Sequence, residues 1–256
     1  MDPKHTQVDQ RLIDTGCVYC GCPLVEATNL ECRRGGGSSA SFEDAMPQQR
    51  TRDHVPSRAF LDHPFPQNLP VVECCRKCNN EFSLDEQYLA CLLECVACGS
   101  VEPQRFERER VASMLRDSPM LRERLAATMR ASDSGTTWEM ETERVRHVIS
   151  KLTRGHAAFE HQRRYPEPDS TLIMPLMLMS DDERIQFERG GAGHRVLPEV
   201  GSRALTRAVL ETRTSGWVDV QPKRYRYTST IYADGLSVRL VIRDYLACEA
   251  WWKDLD

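Results

Sequence analysis

Thr51-Arg52-Asp53-His54-Val55-Pro56, then Asn68-Leu69-Pro70-Val71-Val72, then Cys75-Arg76-Lys77-Cys78-Asn79-Asn80: these three runs, in this order, decide how the N-terminal part of the chain is read. The first sets a carboxylate beside an imidazole just ahead of a proline. The second places an Asn before a short apolar strand. The third is a knuckle-spaced cysteine pair that leads into helical periodicity, with Phe82, Tyr88, Leu89, Leu92, Leu93 and Val96 on one repeat. Upstream, Cys17-Val18-Tyr19-Cys20-Gly21 supplies a second pair of the same spacing. Zinc takes four tetrahedral ligands, and two thiolates on one tight turn provide half the set. The matched spacing predicts a structural zinc held by Cys17, Cys20, Cys75 and Cys78, closed on all four sides. Cys22 and Cys74 adjoin these pairs, so spacing alone selects among them. Cys95-x-x-Cys98 is a third pair, but Cys91 and Cys95 share a helix face, and core packing explains them equally well.

The rest of the composition sets bounds. Eleven cysteines in 256 residues is an odd number, and most lie between Cys17 and Cys98, which favours metal over disulfides in a reducing compartment. The first residues are polar, with no apolar segment of the secretory kind. The longest apolar run, Leu172 to Met179, falls far short of the roughly 20 residues that span a bilayer. A soluble, cytoplasmic protein without a membrane partner is expected. Net charge is −4, yet residues 104–165 hold 13 Arg plus Lys against 9 Asp plus Glu. Within them, Arg105, Arg108, Arg110, Arg116, Arg122, Arg124 and Arg130 form a candidate face for a phosphate backbone, with a solvated, internally paired helix surface as the plain alternative.

The ordered set of motifs resembles the HNH, or ββα-metal, nuclease family, in its form with Cys-x-x-Cys zinc frames, over Cys17 to about Glu94. The resemblance implies that Asp53 is a ligand to a catalytic Mg2+ or Mn2+ and that His54 is the general base. Asn79 is implied as the second metal ligand, with Asn80 and Ser83 as alternatives, and Asn68 as the residue that braces the loop and orients His54. Phosphodiester hydrolysis needs an activated water and neutralised charge, which a carboxylate-bound cation and an imidazole can supply together. Successive strand residues point to opposite faces, so Asp53 and His54 can share one phosphate only from an irregular or bulged strand. Taken singly, an Asp-His pair is ordinarily a surface or capping pair, and an Asn after a knuckle a helix cap.

The expected fold class is α+β: an N-terminal zinc-bound ββα-metal (HNH) domain over residues 1–100, then a helical segment and a C-terminal α+β region with an antiparallel hairpin over residues 101–256. Residues 33–49 read as a flexible inserted loop and residues 190–193 as a Gly-rich turn. Helices are expected at 79–99, 104–115, 119–131, 142–160 and 202–211, with a further short one behind the capping box Ser180-x-x-Glu183. Strands are expected at 171–179, 217–220, 224–228 and 236–243. His156 and Glu160 read as a pair on a helix surface; His5, His63 and His194 read as incidental. The function implied is a metal-dependent HNH endonuclease, a hydrolase of nucleic acid with DNA ahead of RNA, in a bacterial or phage defence setting. Residues 101–256 would serve as an oligomerisation or regulatory surface. The competing reading is a non-catalytic zinc-ribbon-like module that binds nucleic acid or protein.

Overall fold

The computed structural model describes residues 7–8, 16–26, 48–133, 135–189, 195–210 and 216–253. Cys32, His5, His194, the Gly-rich turn and nearly all of the expected loop over 33–49 lie outside them. Strands β1 (Gln7–Val8), β2 (Leu24–Val25), β3 (Gln48–His54) and β4 (Pro70–Cys75) form a small sheet in the order β1-β4-β3-β2. β3 and β4 run antiparallel, with Arg50 opposite Cys75 and His54 opposite Val71. Helix α1 (Arg76–Cys98) follows β4 directly. It begins three residues before the expected Asn79 because the Cys75 sulfur caps it, accepting the Cys78 N–H at 3.4 Å. It ends where expected, at Gly99 in the left-handed conformation (φ 67°). Strand, returning strand and helix thus make a ββα unit.

Two short helices, α2 (Glu109–Arg116) and α3 (Pro119–Ala127), lead to a polar hairpin of β5 (Met129–Ser132) and β6 (Gly135–Trp138), where the expected helix ran on to 131 and no strand was expected. Helix α4 (Thr142–His161) lies at the centre of the molecule, packed against α1, β4 and the second sheet. That sheet is a five-stranded antiparallel array in the order β7-β11-β10-β9-β8, built from β7 (Ser170–Pro175), β8 (Val218–Gln221), β9 (Tyr225–Tyr232), β10 (Gly235–Ile242) and β11 (Leu246–Lys253). Helices α5 (Asp181–Arg189) and α6 (Arg203–Leu210) complete it. The capping box forms as read: Ser180 N–H donates to Glu183 at 2.8 Å and Glu183 N–H to the Ser180 hydroxyl at 3.3 Å. Two glycines permit close approach. A Cβ on Gly155 would stand 2.8 Å from a Val55 methyl, and one on Gly235 (φ 153°) would overlap the Trp252 carbonyl oxygen at 2.0 Å.

The largest apolar cluster joins Phe60, Leu61, Leu89 and Leu92 from before residue 100 with Val148, Leu152, Tyr225, Leu240 and Cys248 from beyond it. The core therefore crosses the boundary expected between the two domains. No helix among the described residues is long and apolar enough to cross a membrane.

His156 and Glu160 are not a surface pair. Both are buried on α4, where the His156 ring stacks on Tyr227 with centroids 3.7 Å apart and Glu160 accepts the Tyr227 hydroxyl at 2.5 Å. His161 is buried one residue on and meets the Ser229 hydroxyl at 2.8 Å. Burial pushes both imidazoles down in pKa, His161 to about 4. An unfolded histidine takes up its proton near pH 6.5, so between there and about pH 4 the unfolded chain binds the extra proton and the folded chain does not. Stability must fall with pH across that window, by about 3 kcal/mol from His161 alone. Urea unfolding at pH 7 and pH 4.5 checks this: the midpoint of wild type should drop markedly, and that of His161→Gln should drop less. Equal drops would show that His161 is not the source.

Candidate metal centre and hydrolytic site

The two cysteine pairs meet because the turn around Cys17 lies along β4, with Val18 N–H donating to the Glu73 carbonyl at 3.1 Å. The turn closes on itself through Gly21 N–H to the Cys17 carbonyl and Cys17 N–H to the Cys22 carbonyl. The sulfurs of Cys17, Cys20, Cys22 and Cys75 all lie within 4.8 Å of one another, a set that could hold a metal ion such as zinc. Cys20 and Cys75 sulfurs are 3.8 Å apart. Cys22 thus stands in the mutual cluster where spacing placed Cys78. Cys78 remains beside it, hydrogen-bonded to Cys17. Five thiols surround one centre that needs four.

Cys74, the other ambiguous neighbour, points to the opposite face of β4, where its sulfur is 3.2 Å from the Thr51 hydroxyl. Cys91 and Cys95 are buried in the core, and Cys98 donates to the Ser100 carbonyl at 3.3 Å, which matches core packing rather than a metal set. Within the cluster the hydrogen bond from Cys78 holds Cys17 down to about 4 in pKa, while burial pushes Cys22 and Cys75 up. One thiolate among thiols is what such a set supports without a cation. A divalent ion would draw off the remaining protons.

The other implied residues fall on two faces of β3. The β3–β4 register is regular from Arg50 to His54, without the bulge that would let neighbouring residues share a phosphate. Asp53 faces the helices and is buried, while half-buried His54 belongs to the opposite face with Arg50 and Arg52. Asn79, on the first turn of α1, donates to Thr51 at 3.4 Å, and Thr51 shares a face with Asp53. Asn80 is exposed, and Ser83 donates to the Asn80 carbonyl at 2.8 Å. Asn68 is exposed at the turn feeding β4, where it holds φ at 61°, a conformation Asn tolerates better than most residues.

The decisive neighbour of Asp53 is Lys151 of α4. Its ammonium lies 3.0 and 2.9 Å from the two Asp53 oxygens and also bonds Glu86, while the Tyr19 hydroxyl donates to Asp53 at 2.6 Å. Burial opposes the charge on Lys151, but the Asp53 and Glu86 carboxylates outweigh it and the net pKa shift is upward; burial pushes Glu86 up. With the Lys151 ammonium at both oxygens, the Asp53 carboxylate is already neutralised by the chain itself, and a Mg2+ or Mn2+ ion at Asp53 would compete with Lys151 for it. Lys151 was missed in the sequence although a signal was present. It sits among Val148, Ile149 and Leu152 on the buried face of an amphipathic helix, and a lysine there requires an acid partner.

Four of the seven arginines in the row have acidic partners. Arg108 is buried and donates to the Ala59 and Leu61 carbonyls and to Asp62; Arg116 pairs with Glu109, Arg122 with Glu102 and Arg124 with Glu141. His147 meets Asp85 at 2.8 Å from 62 positions away. No family model, curated protein or solved structure matches the chain.

Proposed function

We propose that the chain is a zinc-stapled ββα-metal (HNH) type nuclease that hydrolyses phosphodiester bonds in nucleic acid, with DNA ahead of RNA. The observation that supports the reading is the ββα unit of β3, β4 and α1. Asp53-His54 ends its first strand, and Asn79 on the helix's first turn bonds to the strand residue two before Asp53. The cysteine cluster ties the Cys17–Cys22 turn to the junction of β4 and α1. In this frame His54 is the residue to take the proton from water, and Asn79 holds its strand against the helix. The test is cleavage of plasmid, linear duplex, single-stranded DNA and RNA with Mg2+, Mn2+ or EDTA. Metal-dependent cutting is expected, with His54→Ala reducing it at least about a hundredfold at unchanged zinc content and circular dichroism. A His54→Ala protein that cuts as well as wild type ends the assignment.

One observation favours a second reading, a zinc-stapled module that binds nucleic acid or protein without catalysis: Lys151 occupies the Asp53 carboxylate that a catalytic cation would need. Nucleic-acid binding without cutting, insensitive to Mg2+, would decide for it.

A further inference from the structure

Five thiols surround a centre that four would fill, and one of the five is open to solution. Among the described cysteines Cys20 alone is exposed. Its sulfur lies 3.8 Å from that of Cys75, which stands 55 positions on at the junction of β4 and α1. The turn that carries Cys20 and the junction that carries Cys75 are the two segments a metal in the cluster would join. Bonded sulfurs sit about 2 Å apart, so a small movement of the exposed Cys20 side chain closes the gap. The resulting bond would hold the same two segments together. It would also leave only Cys17, Cys22 and Cys78 as thiols around the centre, one fewer than a closed zinc site takes.

We propose that Cys20 and Cys75 are a redox-modification site, at which a hydroperoxide forms a disulfide that displaces the zinc and takes over as the staple. The sulfur of Cys20 attacks a peroxide oxygen, the O–O bond breaks, and Cys20 becomes a sulfenic acid as one water leaves. The sulfur of Cys75 then attacks the Cys20 sulfur, the S–O bond breaks, and a second water leaves. Two thiols thus give two electrons to one peroxide. A partner sulfur already at 3.8 Å captures the sulfenic acid before it is oxidised further to the irreversible sulfinic acid. Such a switch needs only the cysteine cluster, whether or not the chain cuts nucleic acid.

The test uses the full chain loaded with zinc, treated with hydrogen peroxide, quenched with catalase and then given EDTA. About one zinc per chain should be released as two thiols are lost, and peptide mass spectrometry should find Cys20 linked to Cys75. The oxidised, metal-free chain should unfold at a higher urea midpoint than metal-free chain kept reduced, and a thiol reductant should erase the gain. Cys20→Ser taken through the same steps should show no gain. The proposal is overturned if the mapped bond joins another pair or none, if peroxide leaves the zinc in place, or if the oxidised and reduced metal-free chains unfold alike. Should Cys20→Ser fail to fold, the mapped bond and the wild-type midpoints decide. A chain that takes up no zinc overturns this proposal together with the zinc staple, whereas zinc uptake and release without nucleic-acid cleavage overturns only the nuclease reading.

Discussion

Cys17→Ser and Cys75→Ser should each strip the metal from the protein and unfold the region around β3, β4 and the start of α1. The turn at Cys17 is held to β4 by few backbone bonds, and the apolar cluster beneath it is small: Val18, Tyr19, Val55, Val72, Phe82, Ala158 and Phe159 beside the cysteines themselves. Isolated zinc peptides gain about 10–16 kcal/mol from their metal, as much as a whole domain's stability of about 5–15 kcal/mol. Losing one thiolate from such a centre is therefore a folding event. Metal analysis with circular dichroism checks it. Wild type should carry about one zinc per chain, and both variants should lose zinc and ordered structure together. A zinc-free Cys17→Ser protein with wild-type ellipticity would refute a structural metal. The pair Cys22→Ser and Cys78→Ser then separates geometry from spacing. The mutual distances favour loss of metal in Cys22→Ser, and the Cys-x-x-Cys repeat favours Cys78→Ser.

The long helices were legible in the sequence, and so was β10, whose apolar run is buried throughout; β11 and the β5–β6 hairpin were not. Helix α1 showed both its stripe and its Gly99 stop, and Ser180 with Glu183 announced α5. β11 was missed because Leu246, Ala247 and Cys248 open it with three buried residues in a row, and Trp251 stands on the outward side of the Cys248–Lys253 alternation where a polar residue would have marked it. The β5–β6 hairpin failed for the opposite reason: apart from Met129 and Trp138, paired across its open end, it is polar and exposed. The site divides in the same way. Cysteine spacing is local and brought the two pairs into view, but Cys22 joins the cluster because the turn closes from Cys17 to Cys22, which spacing does not encode. Lys151 reaches Asp53 across 98 positions, and only the packing of α4 on the ββα unit creates that contact. The role of Asp53 depends on that helix as much as on its own motif.

Lys151→Met carries the other large expected effect. The ammonium is 1% exposed and stands between two carboxylates that are themselves 8% and 12% exposed. Removing one partner of a buried ion pair costs about 3–5 kcal/mol, because the remaining charge keeps its desolvation penalty and loses its compensation. Here two carboxylates would be left facing each other, so the loss should reach the upper part of that range. Urea unfolding reads it directly, and a loss below about 1 kcal/mol would mean that Lys151 does not neutralise the site. The triple variant Asp53→Asn, Glu86→Gln, Lys151→Met should recover most of the loss, since replacing a whole buried charge cluster is often neutral. The single variant Lys151→Met also separates the two functional readings. With the ammonium gone, Asp53 and Glu86 form a pair of oxygens suited to a hard divalent cation. If the ββα unit retains the geometry of a nuclease metal site, Mn2+ should raise the unfolding midpoint of Lys151→Met more than that of wild type. If Lys151 is simply the permanent counter-ion of a non-catalytic fold, Mn2+ should move neither, and the nuclease reading would lose the carboxylate it needs.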